Sequence, residues 1–410
     1  MADETEGLLS GITVLEMGHV VAAPTCSMLL ADMGAEVIKV ERLPEGDTVR
    51  RNRPLIDGES AYFAMLNRNK RGIALNMKSE GGRRVLKRLL GEVDVFVENY
   101  RTGAMAHYGI GYDQVREDCP RLIYCSISGF GQTGPYAAKG GFDLVAQGMS
   151  GLMSVTGEGP GRPPVKVGVP VTDITAGTLA ALGITGAIHR RTATGQGQLV
   201  DTSLFEAGIM HTFLQSAIHL GSGQVPGAMG SAHPVMAPYQ AFESSDGWLI
   251  VGAGNQSNWL KLTECLEAPE LADDPRFAEP PQRVDHLDEL VETLNGYFAK
   301  LSNEELLERL EAAGVPAGPV LDIAQMNADP QALARGMIQE VGSASGASMR
   351  AIGHPVKYSE TPATIRRRAP LLGEHTTEVL AELGFAAGEI ETLAEAGDIA
   401  GGRADNEEQE

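Results

Sequence analysis

The sequence predicts an α/β protein with a large parallel-sheet domain and a smaller α+β domain. Short apolar runs alternate with helical patterns in the N-terminal half, which is typical of βαβ units with right-handed crossovers. A stretch rich in glycine and proline, 221–238, then precedes a region of hairpin and helix patterns. Hydrophobic residues make up 43% of the 410 residues and charged residues 21%, as in ordinary globular proteins.

The first βαβ unit lies within residues 8–42. Ile12–Met17 is an apolar run that predicts a strand, Ala23–Asp32 has helical spacing and stops before Gly34, and Glu36–Val40 alternates as a strand does. The pattern continues along the chain. Further strands are predicted at Val93–Val97, Leu122–Ser128 and Leu199–Ser203, an extended segment at Val165–Val171, and helices at Gly82–Leu90, Asp113–Asp118 and Thr175–Arg190.

The second region begins with a predicted hairpin. Tyr239–Phe242 and Trp248–Val251 flank the turn sequence Ser245-Asp246-Gly247. Ser302 is the predicted N-cap of the last helix of this region, with Glu305 as its capping-box partner. The helices are predicted at Asn258–Leu266, His286–Lys300 and Asn303–Ala313.

Charge and cysteine content exclude several classes of protein. Lys plus Arg is 33 and Asp plus Glu is 54, so the net charge is 33 − 54 = −21, which disfavours nucleic acid as a partner. The spacing of Cys26, Cys119, Cys125 and Cys265 fits no common metal motif, so we expect reduced thiols and no metal site. The sequence shows neither a signal segment nor an apolar run of about 18 residues, so we expect a cytoplasmic protein that does not bind membranes.

A glycine pattern follows the predicted strand Leu122–Ser128. Residues 129–134, GFGQTG, match G-x-G-x-x-G, but Pro135 follows at once and the next residues are poor helix formers. A dinucleotide site needs these glycines to open a helix, so a nicotinamide or flavin enzyme is disfavoured. An active-site loop and a plain surface turn both remain open.

Asp173 lies between an extended apolar run and a helix. An aspartate at this place is a preferred N-cap and favours the helix dipole. Such junctions also form the crevice of open α/β sheets, where a carboxylate can act as a nucleophile. Spacing alone leaves both interpretations open.

Basic side chains recur near the predicted strand ends. Each is individually consistent with a solvated surface residue, but together they predict a crevice that binds an anionic ligand such as a phosphorylated cofactor. They are Lys39, Arg42, Lys70, Arg71, Lys78 and Arg101.

Nine stretches along the chain carry a resemblance to a known family. They are 11–24 (GITVLEMGHVVAAP), 34–42 (GAEVIKVER), 67–78 (NRNKRGIALNMK), 94–105 (DVFVENYRTGAM), 120–135 (PRLIYCSISGFGQTGP), 142–151 (FDLVAQGMSG), 194–201 (TGQGQLVD), 314–320 (GVPAGPV) and 368–380 (RAPLLGEHTTEVL). With these stretches the sequence resembles the class III CoA-transferases, the family of formyl-CoA transferase and carnitine CoA-transferase. The resemblance spans nearly the whole chain in the family's order, and the joint occurrence of the motifs is specific.

The resemblance implies a Rossmann-like large domain built from both chain ends and a smaller domain from the middle of the chain. It also implies two interlocked chains, as a homodimer or as a heteromer with a related subunit. The implied division is 1–205 for the N-terminal part of a large CoA-binding domain, 206–225 for a linker, 226–330 for the small domain, 331–400 for a linker and return to the large domain, and 401–410 for a disordered tail.

The family's nucleophilic aspartate corresponds to Asp173, which implies a covalent mechanism through an aspartyl–acyl anhydride and an aspartyl-CoA thioester. CoA and acyl-CoA are then substrates, no cofactor is permanently bound, and succinyl-CoA and a dicarboxylic acid are the expected pair. Backbone N–H groups of residues 129–134 or 227–230 are alternative stabilisers of the oxyanion.

The resemblance also implies which residues contact CoA. Many family members have Gln at the place of Val21, some have Arg at the place of His107, and Lys139 lies one place from a family lysine. The implied contacts are Val20, Val21, Ala22, Arg42, Leu75, Asn76, Met77, Lys78, Asn99, Tyr100, Arg101, His107, Lys139 and Asp143.

Related enzymes leave alternatives. The α-methylacyl-CoA racemases of this fold need a histidine immediately before the acid at Asp143, where this chain has Phe142. An inactive partner subunit would lack an aspartate at position 173, whereas this chain has Asp173 there. An aryl or benzylsuccinate-type acid stays open as acceptor. Whichever acid is used, the candidates to meet a distal carboxylate are His19, Arg51, Arg53, Arg162, Lys166 and His233.

Overall fold

The computed structural model describes residues 7–401, which divide into two compact units. Of these residues, the large unit takes 7–151, 167–212 and 330–401, and the small unit takes 152–166 and 213–329. The large unit therefore draws on both ends of the described chain, as the resemblance implies. Apart from Gly401, the predicted tail 401–410 lies outside the described residues.

The strands and helices alternate along most of the chain. The strands are β1 (Thr13–Met17), β2 (Glu36–Arg42), β3 (Leu55–Ile56), β4 (Glu59–Ser60), β5 (Lys70–Leu75), β6 (Val95–Glu98), β7 (Ile123–Ser128), β8 (Leu199–Ser203), β9 (Tyr239–Glu243), β10 (Trp248–Gly252), β11 (Ala317–Pro319), β12 (Ile338–Gly342), β13 (Ser348–Ile352) and β14 (Ile399–Ala400). The α-helices are α1 (Ala22–Asp32), α2 (Ala61–Asn67), α3 (Glu80–Leu90), α4 (Ala104–His107), α5 (Tyr112–Val115), α6 (Asp143–Met149), α7 (Val171–Thr194), α8 (Leu204–Met210), α9 (Phe213–Ser222), α10 (Gln256–Cys265), α11 (Glu270–Asp273), α12 (Pro280–Asp285), α13 (Leu287–Phe298), α14 (Asn303–Ala313), α15 (Ile323–Ala328), α16 (Pro330–Ala334), α17 (Thr376–Glu382) and α18 (Ala387–Glu395). Single 3₁₀ turns lie at Thr48–Arg51 and Leu152–Ser154.

A seven-stranded sheet forms the centre of the large unit, in the order β14-β5-β2-β1-β6-β7-β8. Every pairing in it is parallel except that of β14 with β5. Val14 in β1 lies opposite Val37 on one side and Val95 on the other. The predicted parallel sheet is confirmed, and β5 and β14 are its two strands that the sequence patterns did not predict.

Helices cover both faces of this sheet. Successive side chains of a strand point to opposite faces, so neighbouring residues enter different cores. Val14, Val37 and Cys125 pack into one core with helices α1 and α7. Leu15 and Ile38, one residue further along their strands, pack into a second core with helices α3 and α17. This double burial explains why the strands read as continuous apolar runs.

The helix α7 is longer than predicted and starts earlier. It occupies Val171–Thr194, and the predicted extended segment Val165–Val171 forms no strand. By length and composition α7 could cross a membrane, but it packs against α1 and α8 within the large unit, as a core helix does. Helices α8 and α9 occupy much of the segment 206–225, for which a linker was predicted.

In the small unit, β9, β10 and β11 form an antiparallel sheet, and the predicted hairpin is confirmed. Its core contains Trp259, Phe277 and Phe298, all fully buried. Ser302 caps α14 by accepting a hydrogen bond from the Glu305 N–H at 3.2 Å. The expected capping box is not closed, because the Glu305 carboxylate accepts a hydrogen bond from Arg309 instead.

Candidate active site

A cavity of about 320 Å³ opens at the carboxyl ends of β1 and β2. Open α/β sheets bind their ligands at this edge. Among its lining residues are His19, Val20, Arg42, Asp47, Tyr100 and Phe142. The structure thus brings together Val20, Arg42 and Tyr100 from the set predicted to contact CoA.

The loop between β1 and α1 is held in an uncommon backbone conformation. Val20 has a φ of 64°, in the left-handed region that a β-branched residue rarely adopts. Its N–H donates to both carboxylate oxygens of Asp47, at 3.3 Å each. Helix α1 follows directly, and no side chain caps it at Val21. The N–H groups of its first turn therefore have no side-chain acceptor.

A buried network of charges underlies this loop. Lys39 donates to Glu16 and to the Gly18 carbonyl, both at 2.9 Å, and to Asp47 at 3.3 Å. Lys70 pairs with Glu16 at 2.8 Å, and Glu16, Lys39 and Lys70 are all fully buried. The two lysines lower the pKa of Glu16 to about 2 despite its burial.

The prediction that Lys39, Lys70 and Arg71 face a ligand crevice is wrong. Lys39 and Lys70 both form buried ion pairs with Glu16 within the sheet. Arg71 pairs with Glu36, Glu378 and Glu382. A buried cation requires a partner in this way, since an unpaired charge away from water is costly. Arg42, Lys78 and Arg101 remain exposed.

Asp173 does not cap helix α7. Pro170 is the N-cap residue and Asp173 lies in the first turn, so the N-cap interpretation is wrong. The side chain is partly buried, and none of the residues 7–401 donates a hydrogen bond to its carboxylate. Burial, and then the charge of Asp143, raise the pKa of Asp173 to about 7. This carboxylate is desolvated and keeps its lone pairs unengaged.

Asp143, the first residue of α6, is held rigidly beside it. One carboxylate oxygen accepts the N–H of Thr172 at 3.0 Å and its hydroxyl at 2.8 Å. The other oxygen accepts the Gln147 side-chain amide at 2.7 Å. Because Thr172 precedes Asp173, Asp143 orients the start of α7 and places a second negative charge close to the first.

Two residues near these acids were not assigned by sequence reasoning. Burial, followed by the charges of Asp173, Asp47 and Asp143, raises the pKa of Tyr62. Tyr62 also packs in one apolar cluster with Val20. No motif in the sequence signals Asp47 or Tyr62, because both approach the site from a segment of turns and short elements.

His19 was predicted only as one of several candidates for a distal carboxylate. Asn99 fixes its backbone by accepting the His19 N–H at 3.0 Å and donating to its carbonyl at 2.9 Å. The ring lies 5.1 Å from that of Tyr100, and its buried Nδ1 has no partner among the described residues. Burial lowers the pKa of His19, which favours a neutral ring.

The segment that follows β6 is anchored by a buried acid. Glu98 accepts the Tyr100 N–H at 2.7 Å and a short hydrogen bond from the Ser126 hydroxyl. Burial raises the pKa of Glu98 to about 7. Asn99 and Tyr100 thus hold fixed positions at the cavity, and Arg101 is exposed.

The remaining predicted contacts are dispersed. Leu75 and Met77 lie in the sheet core, and Leu75 is fully buried, so its side chain faces no ligand. Asn76 donates to Gly397 at 3.3 Å and accepts from Lys78 at 3.1 Å. His107 and Lys139 are exposed, and Lys139 lies over the ring of Tyr136.

The glycine loop 129–134 already uses part of its backbone. The Gly131 N–H donates to Ser128 at 2.8 Å and the Gln132 N–H donates to Asp201 at 3.0 Å. These two groups are therefore engaged within the protein and do not stabilise an oxyanion. No helix begins in the loop, which is inconsistent with a dinucleotide fingerprint.

A larger cavity of about 520 Å³ lies elsewhere in the large unit. Its walls are mostly apolar and include Met28, Leu29, Ile174, Leu182, Val356 and Tyr358. Among the described residues, no aspartate or glutamate lines it, and Asp173 lines neither this cavity nor the one of about 320 Å³. Within residues 7–401, no three metal-binding side chains come together.

Comparison with known proteins identifies the relatives of this chain. The model of CoA-transferase family III matches residues 9–376. A succinate–glutarate CoA-transferase of Agrobacterium fabrum is 40% identical over 382 residues, 92% of this chain and 95% of that protein. A succinyl-CoA:mesaconate CoA-transferase of Haloarcula marismortui is 39% identical, over 93% of this chain and 98% of that protein. A crystal structure of a CaiB/BaiF family protein from Brucella suis has a TM-score of 0.82 and 39% identity, and the match covers 92% of this chain and all of that one.

Proposed function

The chain belongs to CoA-transferase family III, and we propose that it moves CoA from succinyl-CoA to a free dicarboxylic acid through covalent intermediates on Asp173. The observation that carries this proposal is the Asp173 carboxylate, desolvated and without a hydrogen-bond donor among the described residues. Such a carboxylate is a better nucleophile than one in water, because no solvent shell must be removed before it attacks.

The proposed reaction runs in four balanced steps. The Asp173 carboxylate attacks the donor thioester carbonyl, the C–S bond breaks, and a mixed anhydride and CoA thiolate form. The thiolate attacks the aspartyl carbonyl, which releases succinate and leaves an aspartyl-CoA thioester. The acceptor carboxylate then displaces the thiolate to form a second anhydride. The thiolate finally attacks the acceptor carbonyl, giving the new acyl-CoA and free Asp173.

Asp143 supports this cycle by holding its neighbour. Its bonds to Thr172 fix the first turn of α7, so Asp173 presents its carboxylate in one orientation through all four steps. The negative charge of Asp143 disfavours the ionised carboxylate, which makes conversion to a neutral anhydride or thioester more favourable.

CoA is proposed to bind at the cavity beside His19, Val20, Arg42 and Tyr100. Arg42 is exposed at the end of β2, where its guanidinium can meet phosphate oxygens by charge-assisted hydrogen bonds. Asn99 and Arg101 complete the proposed side-chain contacts, whereas Val21 and Ala22 are buried and can offer CoA only their backbone. Leu75 and Met77 are left with backbone contacts alone, because their side chains belong to the core.

A dicarboxylic acceptor is proposed because the relatives named above act on glutarate and mesaconate. The racemase alternative gains no support, since Phe142 occupies the place of the required histidine and carries no titratable group. We also propose a cytoplasmic dimer. The four cysteines are free, which suits a reducing compartment.

The decisive experiment looks for the covalent intermediate. The purified protein is incubated with succinyl-CoA without an acceptor, and intact mass spectrometry is followed by peptide mapping. We expect a CoA adduct on Asp173 that disappears when glutarate or mesaconate is added, with release of the corresponding acyl-CoA. Asp173→Asn is the matched control and should carry no adduct. An adduct on Cys26 or Cys125, or transfer by the Asn variant, would contradict the proposal.

A further inference from the structure

The loop that leads from β1 into α1 adopts a conformation that its own sequence disfavours. Val20 is β-branched and sits at φ 64°, where its side chain crowds the backbone. A residue in such a region costs on the order of 1–3 kcal/mol and persists only when its surroundings impose it. The structure must therefore contain a group that holds Val20 in place.

That group is the carboxylate of Asp47. Both of its oxygens accept the Val20 N–H, at 3.3 Å each. The carboxylate is itself held by Lys39, and its backbone N–H donates to Glu41 at 2.9 Å. Asp47 is 4% exposed and Lys39 is fully buried, so water does not compete for these bonds. Lys39 also donates to the carbonyl of Gly18, so it fixes the loop two residues before Val20 as well.

We propose that Asp47 is a positioning residue: it locks Val20 in the left-handed conformation and thereby shapes the loop Gly18–Ala22 that receives CoA. This inference rests on the proposed function, since it takes this loop as a CoA contact. The locked turn brings the uncapped start of α1 directly after Val20, beside the cavity. Without the lock, Val20 relaxes toward an extended conformation and the binding-competent loop becomes a minor population.

A purely structural role for Asp47 is the competing interpretation. Asp47 also caps the 3₁₀ turn Thr48–Arg51 by accepting the Val49 N–H at 3.1 Å. Loss of this cap alone would lower stability without changing the loop. The two roles are separated at Val20, because glycine adopts a positive φ without strain and needs no lock.

The test combines Asp47→Asn with Val20→Gly and measures CoA affinity by calorimetry. We expect Asp47→Asn to weaken CoA binding about 5- to 150-fold, which corresponds to a strain of about 1–3 kcal/mol. The double variant Asp47→Asn/Val20→Gly should recover most of that affinity. Asp32→Asn, which removes a buried carboxylate paired with Arg68, is the matched control and should bind CoA as wild type does.

Several outcomes would overturn the proposal. Unchanged CoA affinity in Asp47→Asn, or no recovery in the double variant, would reduce Asp47 to a cap. If Asp47→Asn does not fold, Val20→Gly alone still decides: its melting temperature should not fall below that of the wild type, because glycine adopts a positive φ without strain, and a lower melting temperature would refute strain at Val20. A wild-type protein that transfers CoA while these tests fail leaves the proposed function intact, whereas one that binds no CoA removes both.

Discussion

The carboxyl group of Asp173 binds its proton more firmly than an ordinary aspartate. Burial is the main cause and Asp143 the second, and together they raise the pKa to about 7 from 3.8. A proposed nucleophile with this pKa is partly protonated in the free protein at neutral pH. Ionising a desolvated acid costs free energy, and this cost lowers the stability of the folded state. A measurement of the free energy of unfolding against pH therefore detects it.

We expect the stability of the wild type to fall relative to Asp173→Asn as the pH rises from about 4 to about 7. In that window the unfolded chain releases the Asp173 proton and the folded chain retains it, so the folded state binds more protons and loses stability with pH. The difference should grow by at most about 1.4 kcal/mol per pH unit. Chemical denaturation at several pH values measures it. A constant difference between pH 4 and 8 would contradict a raised pKa.

The pH dependence of transfer should report the same group. We expect kcat/KM to rise with pH through a midpoint near 7, because only the ionised carboxylate attacks. In Asp143→Asn the midpoint should move to lower pH, since a like charge is removed while the oxygen that binds Thr172 is kept. Asp201→Asn provides a control outside the acid pair. An unshifted midpoint in Asp143→Asn would show that Asp143 does not act on Asp173 by its charge.

At the residue scale, sequence reasoning located Asp173 but not its environment. The sequence shows that Asp173 lies close to the start of a helix. Whether the residue is the N-cap or lies in the first turn depends on the backbone angles of a single turn, which residue spacing does not reveal. Lys39 was misjudged for a related reason. Its partner Glu16 lies 23 positions earlier, and only the register of β1 against β2 brings the two together.

At the element scale, most strands of the central sheet were predictable from their sequence patterns, but β5 and β14 were not. The strands β1, β6 and β7 were found because a buried parallel strand is apolar on both faces. The strand β5 has the sequence KRGIAL and is buried along its whole length. Its two leading charged residues and its glycine are not typical of a buried strand, so the pattern did not predict one. Those charges are tolerated because Lys70 and Arg71 find carboxylates on neighbouring elements, which no local pattern signals.

The glycine-rich segment 221–232 lies in the small unit and has two interpretations: a lid that protects the covalent intermediates from water, and a plain linker. Gly230 has a φ of 62° and donates to the Gly157 carbonyl at 2.8 Å, so an alanine there is strained. We expect Gly230→Ala to raise the ratio of acyl-CoA hydrolysis to transfer, with little change in CoA affinity. Gly227 has no positive φ and has open space around it, so Gly227→Ala is the matched control. Equal ratios in both variants and the wild type would indicate a plain linker.

At the scale of the whole molecule, the apolar face of α7 calls for a partner. Leu182 is 68% exposed on this helix and lines the apolar cavity of about 520 Å³. A single chain seldom leaves a large apolar patch in water. This face is therefore the surface that we expect the proposed dimer to bury, and no sequence pattern predicts how two chains interlock.

We expect Leu182→Glu to shift the protein from dimer to monomer, because a carboxylate would be buried without a partner in the interface. Light scattering after size-exclusion chromatography measures the mass directly. Leu55→Glu, at a side chain that is 47% exposed in β3, is a control and should remain dimeric. If the wild type is already monomeric, or if both variants keep its mass, this face is not the interface.

The position of β14 has a consequence for synthesis on the ribosome. Its residues Ile399–Ala400 form the edge of the central sheet beside β5, and Leu380 and Ile390 belong to the core on one sheet face. A nascent chain carries β1 to β8 long before these residues leave the exit tunnel, while 213–329 emerges as a unit that can collapse on its own. During that interval one face of the unfinished sheet is covered by α3 but not yet by α17 and α18. Slow translation of residues 330–401 should therefore prolong the dependence of the nascent chain on chaperones.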